Sequence, residues 1–223
     1  MLSNEASKHP IRMTEQPSID AMERALQPTD RLFFAIYRDT AAARRIERLA
    51  QRLRGELGLK GRPIVVERLR VTICYLGNRV GVPQIVDAAR GAAGSVVLPR
   101  VKAAFDRAAS FVGRRGKRRF VRLGGEGPSA LKALQHILRD VFARAGLGGG
   151  DEQPYTPHVS LLYDTRGVDE IAVDAVSWTA RELVLVRSLL GQGKHVTLRR
   201  WPLHNGGAPR GPRRYDSGCS FVA

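Results

Sequence analysis

Residues 31–37 read RLFFAIY, a short apolar run of strand type. Asp39 can cap the next element, a helix in which Ile46, Leu49, Ala50 and Leu53 recur at helical spacing before Gly55. Residues 71–76 (VTICYL) are β-rich and stop at Gly77-Asn78, a turn signal; a second helix is predicted over 82–92, and strands near 101–105 and 119–123. Residues 1–29 are polar, with Pro10, Pro17 and Pro28, and read as a mobile leader. Residues 205–223 open with NGGAPRGPRRYDS and read as a flexible basic tail. The domain is thus expected over 30–204.

The same order of elements then returns. A shift of 88 positions lays Arg31-Leu32-Phe33 on Arg119-Phe120-Val121, and Ile46, Leu49, Ala50 and Leu53 on Leu134, Ile137, Leu138 and Val141. It also lays Arg70-Val71-Thr72-Ile73-Cys74-Tyr75 on His158-Val159-Ser160-Leu161-Leu162-Tyr163. One shift serving three elements points to an internal duplication into two lobes, each strand, helix, strand. The competing reading is two generic amphipathic helices aligned by chance.

Charge narrows the partners. The 223 residues carry 37 Lys and Arg against 21 Asp and Glu, a formal net charge of +16. Between Arg31 and His204 the balance is 31 to 15, so the whole excess falls within the expected domain. Polyanions are favoured, RNA or DNA before an acidic membrane surface. Cys74 and Cys219 offer neither a disulfide framework nor metal-ligand spacing. With no stretch near the roughly 18 apolar residues of a membrane span, and no signal-peptide core in the first thirty residues, the chain reads as cytoplasmic, and a monomer is expected.

The repeated strand carries the chemistry. Strand alternation puts His158 and Ser160 on one face, with Val159, Leu161 and Tyr163 on the other, and Arg70 and Thr72 project likewise in the first lobe. A twofold would bring the pairs face to face. The hydroxyls and the guanidinium suit the oxygens of a phosphate, while the imidazole can move protons, so the expected site is a phosphoester site with Arg70, Thr72 and Ser160 as phosphate ligands and His158 as acid or base.

The pattern PxxxExLxVTxxxLG, standing as Pro63, Glu67, Leu69, Val71, Thr72, Leu76 and Gly77, together with Pro157-His158-Val159-Ser160-Leu161 and the opening RLFFAI, resembles the 2H phosphoesterases. Within them it is most similar to the bacterial RNA 2′,3′-cyclic phosphodiesterases, also called 2′-5′ RNA ligases. The resemblance implies an α+β, bilobal duplicated fold: two antiparallel sheets around a central cleft, helices outside, and one His-x-Thr/Ser motif from each lobe. It implies opening of a 2′,3′-cyclic phosphate to a 2′-phosphate, one histidine activating water and the other protonating the departing 3′ oxygen. It implies RNA ends or small cyclic nucleotides as ligands and no metal or cofactor. The position of the first histidine holds Arg70, which can neutralise a phosphate but cannot shuttle a proton. An impaired enzyme and a non-catalytic RNA-end-binding protein of the same fold are both consistent with that departure.

Other candidates carry less. His195-Val196-Thr197-Leu198 has the motif's letters, but stands only 37 positions after His158 with no duplicated strand and helix before it; it reads as a closing strand with His195 as a candidate RNA contact. Arg114, Arg115, Lys117 and Arg118, in a run of five basic residues in six, are further candidate RNA contacts or a solvated loop. Tyr75 and Tyr163 are expected in the core by their parity, Cys74 on Arg70's face, and one of Phe33 and Phe34 toward the cleft.

Overall fold

The structure is a computed structural model that describes residues 30–78, 83–112, 119–125, 129–147 and 155–205. The leader, the tail beyond 205 and the basic residues Arg114, Arg115, Lys117 and Arg118 lie outside the described residues. In chain order the elements are β1 (Asp30–Tyr37), α1 (Thr40–Glu56), a 3-10 turn (Val66–Arg68), β2 (Arg70–Asn78), α2 (Pro83–Gly94), β3 (Val101–Val112), β4 (Arg119–Gly124), α3 (Ser129–Arg144), β5 (Val159–Asp164), β6 (Ile171–Ala180), β7 (Glu182–Leu189) and β8 (Lys194–Pro202).

Local chemistry explains the boundaries. The Asp39 carboxylate accepts the Ala42 amide at 2.7 Å and so satisfies one orphan donor at the start of α1. Past the other end, Gly58 takes φ of 61°, a left-handed conformation that suits glycine and turns the chain. Ile46, Leu49, Ala50 and Leu53 are buried, as their spacing predicts. The corresponding stripe on α3 is shifted: Leu134, Leu138 and Val141 are buried, but Ile137 is 38% exposed, and Leu131, Gln135 and Phe142 complete the inner face. An apolar residue at the margin of a helical stripe is readily misplaced by spacing alone.

All described strands join one antiparallel sheet in the order β6-β3-β4-β5-β2-β1-β7-β8. This corrects the expectation of two separate sheets. The halves are continuous at the centre, through a single antiparallel pair, Val71 opposite Val159. Under the 88-residue shift β1 corresponds to β4 and β2 to β5, so the four central strands, β4-β5-β2-β1, read as a palindrome about that pair. The palindrome supports the duplication reading.

The sheet buries one face beneath the helices. Phe34 stacks on Phe142 of α3 at 4.8 Å and touches Trp201 at 5.6 Å, within a core that takes in Ile46, Leu53, Ile73, Phe105 and Leu161. The other face carries a smaller cluster, Phe33, Ala35, Val184 and Val186, against which Tyr37 and Tyr75 pack.

Two bulges set what faces where. On β2, Thr72 pairs with Ala35 and Cys74 with Phe34, leaving Ile73 as the extra residue; on β5, Ser160 pairs with Arg122 and Leu162 with Val121, leaving Leu161. Ile73 and Leu161 are themselves 88 positions apart. Each bulge reverses the parity of the residues after it. Cys74 therefore packs against the helix-side core, not on Arg70's face, and burial pushes its thiol up to about 11 against the opposing pull of Arg139. Tyr75 and Tyr163 turn the other way, toward the face that carries Arg70 and His158, so the expectation that parity takes them away from the motif side chains is overturned.

Candidate functional site

The central pair fixes the site. With Val71 opposite Val159 in antiparallel sense, Arg70 stands level with Ser160 and Thr72 level with His158. Val71 and Val159 are buried, which turns their four neighbours to the opposite face. There Arg70, Thr72, His158 and Ser160 line one pocket of about 50 Å³ with Ile64, Arg68 and Tyr163. The four side chains singled out in the sequence are thus brought together. A volume so small suits a tetrahedral oxyanion, not a nucleoside.

Hydrogen bonds hold the pieces. His158 Nδ1 lies 2.8 Å from the Thr156 carbonyl, which can only accept, so the ring donates from Nδ1 and the neutral imidazole keeps its basic lone pair on Nε2. Tyr155 donates its hydroxyl to the Thr72 carbonyl at 2.9 Å, tying the approach to His158 onto β2, and burial pushes that phenol up.

Arg70 sits in a cradle. Its Nη1 donates to the Arg68 carbonyl at 2.9 Å and to His195 Nδ1 at 3.3 Å, and its guanidinium carbon lies 4.6 Å from the centre of the Phe33 ring. His195 meets the same ring edge-on at 6.0 Å. Burial lowers the Arg70 pKa, with Tyr37 and Tyr163 opposing and Arg68 adding to the shift. Burial first, and then the charges of Arg70 and Arg68, push His195 down to about 4. At neutral pH its ring is therefore uncharged and serves as the acceptor for Arg70.

His195 does not line the small pocket. It lines the adjoining groove of about 950 Å³, with Thr197, Arg68, Arg38 and Arg200 among its neighbours. Phe33 is the phenylalanine that faces this side, as alternation within β1 predicts. Three pocket residues, Ile64, Arg68 and Tyr163, escape the sequence reading of the site. Ile64 and Arg68 come from the segment that leads into β2, Arg68 from the 3-10 turn, where strand parity does not apply. Tyr163 is placed by the bulge, whose only sequence signal is the doubled apolar pair Leu161-Leu162 inside an alternating strand.

The segment before the 3-10 turn braces β5. Pro63 bridges to Leu162, and the Ile64 amide donates to the Leu161 carbonyl at 2.7 Å. Asp164 accepts the Lys60 amide at 2.6 Å, the Gly61 amide at 2.7 Å and the Arg166 amide at 2.9 Å, and these donors, Arg166 and Gly61 foremost, hold its carboxyl below the usual range. A Cβ at Gly61 would overlap the Tyr163 carbonyl, so only glycine allows this approach. Among the described residues no three His, Cys, Asp or Glu side chains gather as a metal site, and no helix is long and apolar enough to cross a membrane.

Solved structures share this architecture. E. coli LigT complexed with 3′-AMP superposes with a TM-score of 0.64 at 26% identity, over 78% of this chain and 98% of that one. E. coli LigT complexed with ATP gives 0.60 at 25% identity, over 78% and 98%. TT0787 of Thermus thermophilus, 18% identical over 79% and 100%, has a TM-score of 0.61 and shares the fold. No curated protein sequence matches the chain. The family model for the 2′-5′ RNA ligase superfamily matches residues 38–192, well over half of the sequence, and the chain belongs to that superfamily.

Proposed function

We propose that this chain is an RNA 2′,3′-cyclic phosphodiesterase that opens terminal cyclic phosphates to 2′-phosphates, with Thr72, Ser160 and Arg70 as phosphate ligands and His158 as the proton-transferring imidazole. The observation that carries this reading is the small pocket at the centre of the sheet, where both copies of the repeated strand present their polar side chains. Its lining offers two hydroxyls, from Thr72 and Ser160, and two guanidiniums, from Arg68 and Arg70, a donor set matched to non-bridging phosphate oxygens. The cation at position 70 also favours the more negative pentacoordinate transition state, because charge developing in a preorganised site is stabilised without reorganisation. The net charge of +16 and the adjoining groove accord with a nucleic-acid ligand running on from the phosphate. LigT, complexed with 3′-AMP and with ATP, supplies a nucleotide-binding precedent for the ligand class.

One observation favours a second reading, a non-catalytic protein that captures RNA ends. Arg70 stands where the repeat and the family resemblance lead one to expect a second imidazole. The test is product analysis with a 2′,3′-cyclic dinucleotide. Release of a 2′-phosphate, absent in His158→Ala, supports the phosphodiesterase. Binding without any release supports the capture protein.

A further inference from the structure

Opening a cyclic phosphodiester takes two proton movements, one from the attacking water and one to the departing oxygen. Of the side chains around the pocket, Ile64, Thr72 and Ser160 exchange no proton near neutral pH, and Arg68 and Arg70 keep theirs. His158 and Tyr163 remain. We propose that Tyr163 is a catalytic residue of this reaction, the acid that protonates the departing 3′ oxygen while His158 acts as the base. The inference rests on the phosphodiesterase reading above and names the second proton carrier for it.

The roles come from the protonation each group shows. His158 donates through Nδ1 to Thr156, so Nε2 is the basic atom, and a phenol carries its proton at neutral pH. Water gives a proton to His158 Nε2 as its oxygen bonds to phosphorus. The bond from phosphorus to O3′ breaks, its electron pair passes to O3′, and O3′ takes the phenolic proton. Transfer of the His158 proton back to the phenolate through solvent restores the starting state. One water is consumed, and a 2′-phosphate with a free 3′ hydroxyl is formed.

The fold is arranged for this. The bulge at Leu161 turns Tyr163 to the pocket face, where its side chain lines the cavity while the residue stays 49% exposed. Its backbone is fixed by the close approach of Gly61 and by the three amides on Asp164. The charged and titratable groups around the pocket are Arg68 from the 3-10 turn, Arg70 from β2 and His158 from just before β5. His195 is the rival donor and fits less well. It lines the neighbouring groove and spends Nδ1 on Arg70, and a ring held near 4 is uncharged at neutral pH, without the imidazolium proton that a general acid delivers.

The test pairs Tyr163→Phe with a change of leaving group. Two substrates are compared: a 2′,3′-cyclic dinucleotide, and its analogue with sulfur at the 3′ position, whose thiolate departs without an acid. Tyr163→Phe should slow the oxygen substrate by about 10² to 10⁴ and leave the sulfur substrate within about threefold of the natural protein. Equal losses on both substrates would show a merely structural role and overturn the proposal, as would no loss on either. If His158→Ala is inactive in those cases, the phosphodiesterase reading still stands. If the natural protein turns over neither substrate, that reading and the proposal fall together.

Discussion

Arg70→Ala should separate binding from folding. In the folded protein the guanidinium has two hydrogen-bond acceptors, the Arg68 carbonyl and His195 Nδ1, and a contact with the Phe33 face. Together these contribute about 2 to 3 kcal/mol. Against them stands Arg70 Nε, buried with no hydrogen-bond partner among the described residues, at a cost of about 1 to 3 kcal/mol. The terms nearly cancel, so truncation should shift the urea midpoint by less than about 1 kcal/mol of stability. Binding should respond differently. A charge-assisted hydrogen bond to phosphate contributes about 1.5 to 3 kcal/mol, so the Kd for a nucleoside 2′-phosphate should rise roughly 10- to 150-fold. Isothermal titration and urea denaturation on the same preparations decide the matter. A Kd within threefold of the natural protein, or a stability loss that matches the loss of affinity, would refute Arg70 as a phosphate ligand.

Arg70→His places an imidazole across the central pair from His158, and an acid whose pKa lies nearer neutrality than a phenol's should raise turnover by about tenfold or more; in that background Tyr163→Phe should cost less than about tenfold in steady-state assays. Because His195 titrates near 4 when folded and near 6.5 when unfolded, the unfolded chain binds the extra proton between those values, and stability should rise with pH across that window. His195→Gln should flatten this part of the thermal-melting profile, and an unchanged slope would contradict the assignment. Gly61→Ala forces a backbone shift against Tyr163 and should cost about 1 to 3 kcal/mol by denaturant melting, with turnover falling further than stability alone explains.

Much of this arrangement is legible in the sequence because it rests on periodicity and repetition. The stripe Ile46, Leu49, Ala50, Leu53 and the Asp39 cap are local signals, and local signals place α1. The 88-residue shift brings Arg70 and Thr72 into register with His158 and Ser160, and the burial of Val71 and Val159 does the rest. Tyr163 and Cys74 are misplaced for one reason: a bulge adds a residue on one strand only, and its position depends on a partner strand that sequence periodicity does not see. The contact between His195 and Arg70 joins residues 125 positions apart, through the order β2-β1-β7-β8, which no local pattern encodes. The same holds for the continuity of the sheet, which depends on a single pair at its centre.

Phosphate binding where the two copies of the repeated strand meet underlies every step proposed for this protein. A crystal structure with a dinucleotide 2′-phosphate bound decides whether it occurs. Phosphate oxygens should lie within hydrogen-bonding distance of the Thr72 and Ser160 hydroxyls and the Arg70 guanidinium, with His158 Nε2 and the Tyr163 hydroxyl on the reacting side. A phosphate seated instead in the adjoining groove, against His195 and Arg200 with the central pocket empty, would contradict that placement.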